Sequence, residues 1–212
     1  MNEVPNLLVG IAMGLNLLAL ASGRLPSLIR VAAVQGVVLG LLPLVMERVD
    51  WLVVLVAVLS TALKGVVIPG LLRRAMRVAN IDRDLSPLIG FIPSLLLGAA
   101  GAIAAVALAR LVPLLPEHRG LLLVPGSLAS ILTGFVLLTC RSKAISQVCG
   151  YLILDNGIYL FGLLLIHAVP FMVEAGILLD LTVAVFVIGI IMDRIQRAFD
   201  SLDTRKLTAL RE

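Results

Sequence analysis

Charge is scarce in this chain. Of its 212 residues only 14% are Asp, Glu, Lys or Arg, while 60% are hydrophobic, and the mean hydropathy is +1.12. A soluble globular chain is typically about 45–50% apolar, so that class is excluded. Cysteine is nearly absent too. Cys140 and Cys149 stand nine residues apart, a spacing that matches no metal or redox motif, and they read as buried thiols. There is one Trp, no Gly-rich phosphate loop, no HxxxH or CxxC pair and no nucleophile elbow. The connections between apolar runs are too short to house a catalytic domain. These absences leave no seat for a redox cofactor and no metal site, and they point to a chain that is not an enzyme by itself. The opening MNEVPN carries no Lys or Arg, so it lacks the basic segment of a secretory signal, and the first apolar run reads as a retained span. Internal repeats and low-complexity segments are also missing.

What is present is a series of long apolar runs. They are continuous over about 17–25 residues, the length of a membrane-crossing helix; barrel strands are shorter and alternate in polarity. The expected fold is all-α, a polytopic membrane protein of about seven transmembrane helices over residues 6–22, 27–46, 51–72, 86–112, 120–140, 144–166 and 169–195. Pro93, Pro125 and Gly126 fall within or near the starts of spans, where neighbouring helices can satisfy the freed backbone groups. Net charge is +4 and the pI is near 9.6, which in a soluble protein would suggest nucleic acid. Here the basic residues sit in the short connections instead. Arg24, Arg30, Arg73, Arg74, Arg77, Arg83, Arg141, Lys143, Arg194, Arg197, Arg205, Lys206 and Arg211 all fall on one side of the implied membrane. Arg48, Arg110 and Arg119 fall on the other. The positive-inside rule then places the N-terminus outside and the C-terminus in the cytoplasm. After the last span, residues 200–212 form a polar tail with several candidate helix caps, either a solvated extension or a rim contact.

Lys64, Asp155, Glu174 and Asp180 are ionisable residues inside the expected spans. At a rise of about 1.5 Å per residue, Lys64, Asp155 and Asp180 all lie about 16–20 Å into their helices, near the midplane. Glu174 is nearer the outer surface. A charge at the centre of a span disfavours insertion by about 2.5–3.5 kcal/mol and faces the bundle interior beside a partner or water. One explanation is a structural ion pair, Lys64 with Asp155 or with Asp180. The other is a proton or ion path, because two carboxylates and a lysine at one depth exceed what a single pair needs, and such carboxylates can load and release protons. A sodium site would need several converging oxygens, for which Asn156, Thr182 and Ser146 are candidates. Asn16, Gln35, Ser60, Thr61, Thr133, Gln147 and Tyr151 read as helix–helix glue. His167 reads as an interface residue, and Asp193 as half of a rim ion pair with Arg194.

The stretch LTCRSKAISQVCGYLILDNGIYLFGLLL, followed by VEAGILLDLTVAVFVIGIIMDRI, resembles the small K subunit of respiratory complex I: three helices, a basic connection after the first, and a midplane carboxylate in each of the other two. The full layout, with the closing FDSLDT, resembles the hydrogenase-4 component E family of group 4 membrane-bound [NiFe] hydrogenase and formate hydrogenlyase-type complexes. The resemblance implies four N-terminal helices in residues 1–115, a K-like module in 116–199 and a cytoplasmic tail in 200–212. It places Asp155 and Asp180 at the two carboxylate positions, with aspartate where the K-type pattern has glutamate. Glu174, on the same helix as Asp180, could supply the missing reach, and Lys64 joins the path by depth alone. It further implies a bacterial or archaeal cytoplasmic (inner) membrane location and a role in redox-coupled proton translocation. The partners would be antiporter-like and quinone-site-like membrane subunits and a peripheral hydrogenase arm, with the NiFe and iron–sulfur centres in those partners and none in this chain. A K-like subunit of a multisubunit Na⁺/H⁺ antiporter and a purely structural membrane subunit are the alternatives.

Overall fold

The computed structural model describes residues 3–46, 51–78, 85, 88–112 and 120–164, with residues 182 and 189. Among these, every regular element is a helix. In chain order they are α1 (Glu3–Ala21), α2 (Leu25–Gly40), α3 (Leu42–Met46), α4 (Trp51–Ala62), a π-helical turn (Leu63–Val67), α5 (Ile68–Val78), α6 (Phe91–Ala109), α7 (Leu123–Cys140) and α8 (Ala144–Leu163). Five stretches are long and apolar enough to cross a membrane: α1, α2 with α3, α4 through α5, α6 and α7. α8 has a similar length of 20 residues, but Ser146, Gln147, Asp155 and Asn156 dilute its apolar character. Apart from residues 182 and 189, the expected last span, 169–195, lies outside the described residues, as do Glu174, Asp180, His167 and Asp193.

Two expected spans are interrupted by proline. The chain turns at Leu41, two residues before Pro43, and resumes as α3. The second interruption is larger. Pro69 lacks an N–H, and its ring crowds the carbonyl four residues back, so a regular α-helix cannot run through it. The helix widens just ahead of Pro69 into the π turn, where the Ile68 N–H donates to the Leu63 carbonyl, five residues earlier. Lys64 sits in this turn. α5 then continues to Val78, past the expected end at residue 72, with Arg73, Arg74 and Arg77 exposed and Leu72, Ala75 and Met76 buried.

α8 packs most closely on α7 and also on α2; α1 lies against α2, α6 and α7. Glycine makes these approaches possible. A Cβ on Gly157 would lie 2.7 Å from the Ile131 amide nitrogen and 2.8 Å from the Ser127 carbonyl oxygen, both backbone atoms of α7. At Gly36 of α2 a Cβ would lie 2.6 Å from the Lys64 Cβ, so the π turn seats its lysine directly against α2. Small residues at helix crossings are the usual route to close packing in membranes, where apolar burial alone gives no driving force between helices.

The buried apolar side chains form two clusters. One contains Ala19, Leu20, Leu25, Leu28, Ile29, Leu72, Leu137 and Ile153. The other contains Val9, Ala12, Leu39, Leu42, Leu123 and Leu160. In each of α1, α2, α7 and α8 the sequence interval between the two clusters holds the buried polar residues: Asn16, Gln35, Ser130, and the pair Asp155–Asn156. The bundle is layered as apolar, polar, apolar.

Gly157→Ala should destabilise the protein by about 1–3 kcal/mol, since the new methyl meets backbone that cannot move aside. Gly10→Ala, with nothing within 4 Å of the added Cβ, should be neutral or raise stability by up to about 1 kcal/mol through helix propensity. Thermal unfolding of the detergent-solubilised variants compares the two. Equal effects would show that α7 and α8 do not meet at Gly157.

Candidate functional site

The polar layer is organised around one ion pair. Lys64 Nζ lies 2.5 Å from Asp155 Oδ2, with both side chains almost fully buried. The same ammonium is 5.1 Å from the centroid of the Tyr159 ring. Tyr159 is one turn beyond Asp155 on α8, so the two present one face to the lysine. A carboxylate on one side and a ring face on the other replace the water that the cation would otherwise hold.

Beside the pair runs a string of neutral hydrogen bonds. Asn16 Nδ2 donates to Ser130 Oγ at 2.9 Å, linking α1 to α7. Gln35 Nε2 donates to Asn16 Oδ1 at 2.8 Å and to the Ala12 carbonyl at 3.3 Å, linking α2 to α1. Asn156 Nδ2 donates to Gln35 Oε1 at 3.2 Å, linking α8 to α2. Two neighbours on α8, Asp155 and Asn156, thus face the π turn and α2 respectively. Two neighbours on α2 mirror them: Gln35 holds Asn156, and Gly36 makes room for Lys64. Each interhelical hydrogen bond of this kind is worth about 0.6 kcal/mol on average in a membrane, and seldom more than about 1.7.

The structure brings together Lys64 and Asp155, two of the four ionisable residues found within the expected spans. The lysine takes Asp155 as its partner, and Asp180 and Glu174 lie outside the described residues. Of the residues read as helix glue, Asn16 and Gln35 do join helices. Gln147 instead donates to the Arg141 carbonyl at 3.1 Å. Ser146 turns to the Lys143 carbonyl at the start of α8, away from Asp155, so it does not join Asn156 in a cation cage. Cys149 is buried and Cys140 partly so, both free thiols. Among the described residues no group of His, Cys, Asp and Glu is placed to hold a metal.

One charged residue carries a role its sequence position did not announce. Arg141, counted among the basic residues of the short connections, is only 1% exposed. Its Nη2 donates to the Leu20 carbonyl at 2.7 Å, and its guanidinium lies 4.9 Å from the Phe91 ring centroid. Leu20 is in the last turn of α1, where carbonyls lack helical partners and a cation is favoured. Arg141 therefore ties the end of α7 to the end of α1 and the start of α6. Burial pulls its pKa below the usual arginine value through desolvation, and Nε and Nη1 have no partner among the described residues. A basic residue directly after a long apolar helix gives no sequence signal that separates a buried staple from a solvated rim.

Apolar helices of spanning length around a buried ionised layer define a polytopic helical membrane protein. The chain belongs to the family of the uncharacterized protein Rv0085 of Mycobacterium tuberculosis, to which it is 36% identical over 191 residues, 89% of this chain and 87% of that protein. A shorter region of 85 residues, 40% of this chain, is 33% identical to hydrogenase-4 component E of Escherichia coli K12, with the same figures for the Shigella flexneri protein. That match spans 39% of the length of those proteins. No family model matches the chain, and no solved structure does.

Replacing Lys64 by Met strands Asp155 without a counter-charge and should cost about 3–5 kcal/mol. The double variant Lys64→Met, Asp155→Leu should recover most of that loss, since an apolar pair of similar volume substitutes well for a buried ion pair. Chemical unfolding in detergent gives the coupling. Additive losses in the double variant would show that the two side chains do not meet.

Proposed function

We propose that this chain is a non-catalytic membrane-arm subunit of a complex I-related, membrane-bound hydrogenase complex, and that its polar layer takes part in redox-coupled proton translocation. The observation that carries the reading is the ion pair itself. Lys64 and Asp155 are held in contact, nearly dry, in the middle of a helix bundle. A purely adhesive layer has no need of ionised groups, because the neutral string through Asn16, Gln35 and Asn156 already joins four helices. A proton can pass between the ammonium and the carboxylate, leaving amine and acid, with no charge leaving the layer. The partial similarity to hydrogenase-4 component E supports the kind of complex.

In this reading Asp180 and Glu174 extend the path from the last span, in a seven-helix chain with its N-terminus outside and its C-terminus in the cytoplasm of a bacterium or archaeon. Antiporter-like and quinone-site-like subunits flank it, and the NiFe and iron–sulfur centres reside in a peripheral hydrogenase arm. Energy released there changes the field at the pair, and the proton moves. The Na⁺/H⁺ antiporter alternative is less favoured, because Lys64 occupies the carboxylate that a sodium ion would need.

Asp155→Asn and Asp180→Asn should leave the complex assembled while proton movement coupled to its redox reaction falls at least tenfold, measured with a pH-sensitive dye in sealed vesicles. Undiminished pumping in both variants would favour the structural reading. A pumped current that requires sodium would favour the antiporter. For topology, a cysteine introduced at Asn2 should react with an impermeant maleimide in intact cells, and one at Thr208 only after permeabilisation. The opposite pattern inverts the chain.

A further inference from the structure

The amide string has a direction. Asparagine and glutamine side chains each carry one donor end and one acceptor end, and which is which follows from their partners. The Ala12 carbonyl can only accept, so the end of Gln35 that faces Ala12 and Asn16 is its NH2 group. The acceptor end, Oε1, is thereby turned to α8, and Asn156 must meet it with its own NH2. Toward α7 the sense is the same: Asn16 accepts from Gln35 and donates to Ser130, whose hydroxyl can serve either way. One backbone carbonyl sets the polarity of the whole string.

The consequence falls on Asn156. Its Oδ1 is the terminal acceptor, and among the described residues it has no partner, in a residue only 1% exposed. A bare acceptor in such surroundings costs about 1–3 kcal/mol, and native proteins satisfy nearly all of them, often with buried water. A donor is required there. The side-chain amides of the string each donate elsewhere, and the nearby cation, Lys64, is engaged with Asp155. A metal cation is the wrong occupant, since it needs several converging oxygens and the adjacent carboxylate is already neutralised. The fitting ligand is a small neutral donor.

We propose that Asn156 Oδ1 is a binding site for a single water molecule beside the Lys64–Asp155 pair, and that Gln35 is the positioning residue that creates it by fixing the polarity of the string. The site stands without the proton-translocation reading. The use of that water as a proton carrier to or from Asp155 rests on it.

The test is infrared difference spectroscopy of the full-length protein in lipid films, hydrated with H₂¹⁶O or H₂¹⁸O. A bound, weakly bridged water gives a narrow O–H stretch that shifts with the heavy isotope and stands apart in frequency from the bulk pool's broad band. Wild type should show it. Asn156→Leu should lose it, and Asn156→Asp, which keeps an acceptor, should retain it. Gln35→Met leaves Asn156 in place but frees its amide to turn, so the band should shift or disappear. That variant also decides the matter should Asn156→Leu not fold. A wild type without the isotope-sensitive band overturns the site, as does its persistence in Asn156→Leu. An unchanged band in Gln35→Met overturns the positioning role. Proton uptake by vesicles holding the assembled complex separates the two levels: a band lost in Asn156→Leu with undiminished pumping refutes the carrier role and leaves the site standing.

Discussion

Everything in this bundle is arranged around keeping Lys64 and Asp155 in contact. A lone carboxylate or ammonium deep in an apolar medium carries a desolvation penalty of several kcal/mol even after relaxation. The pair is tolerable only while the two groups touch, and touching demands that α8 and the π turn be held at fixed depth and rotation. The apolar clusters above and below the layer supply that restraint. So does the neutral string, because Gln35 and Asn156 lock the rotation of α2 against α8 while Gly36 admits the lysine stem. Such a layer specifies register: a slide of one turn between α2 and α8 would part Gln35 from Asn156 and the carboxylate from the lysine together.

The π turn solves a geometric problem. Pro69 would break an ordinary helix five residues after Lys64, and the wide turn absorbs the missing hydrogen bond while rotating Lys64 relative to the helix that follows. π turns inside α-helices recur at functional positions because they aim a side chain that regular geometry would aim elsewhere. Here the aimed group is the cation that pairs with Asp155 in the polar layer. Pro69 is therefore tied to the ion pair through backbone geometry, with no side-chain contact needed.

The helical character and most of the spans were legible in the sequence, because runs of Leu, Ile, Val and Ala longer than about 17 residues have no other stable form in a membrane. Depth counting placed Lys64 and Asp155 at one level, and they touch, since rise per residue is fixed and spans start at recognisable breaks. The rest depended on rotation about the helix axes, to which counting is blind. Nothing in the pattern around Asn16, Gln35 and Ser130 says that they face one another, as each is a single polar residue in an apolar run. The π turn left a signal, Pro69 inside a span, but its position relative to Lys64 gains meaning only once the lysine has a partner. Arg141 is the opposite case: charge placed it correctly at a helix end, but charge alone cannot tell a guanidinium in water from one buried against Leu20 and Phe91.

The layered arrangement also bears on what such a chain can do alone. Among the described residues, Asp155 and the string lie between two apolar clusters in the sequence of α1, α2, α7 and α8. In the proposed reading, net transport uses either a lateral connection to titratable groups on other helices or a motion that breaks the packing. Lateral connection fits the chemistry better. Transfer between Lys64 and Asp155 changes the dipole of the layer without changing its charge, and a dipole change is felt by a neighbouring buried charge at the same depth, where screening is weak. In the proposed reading, a bundle of this design takes a place in a row of such layers, each biasing the next.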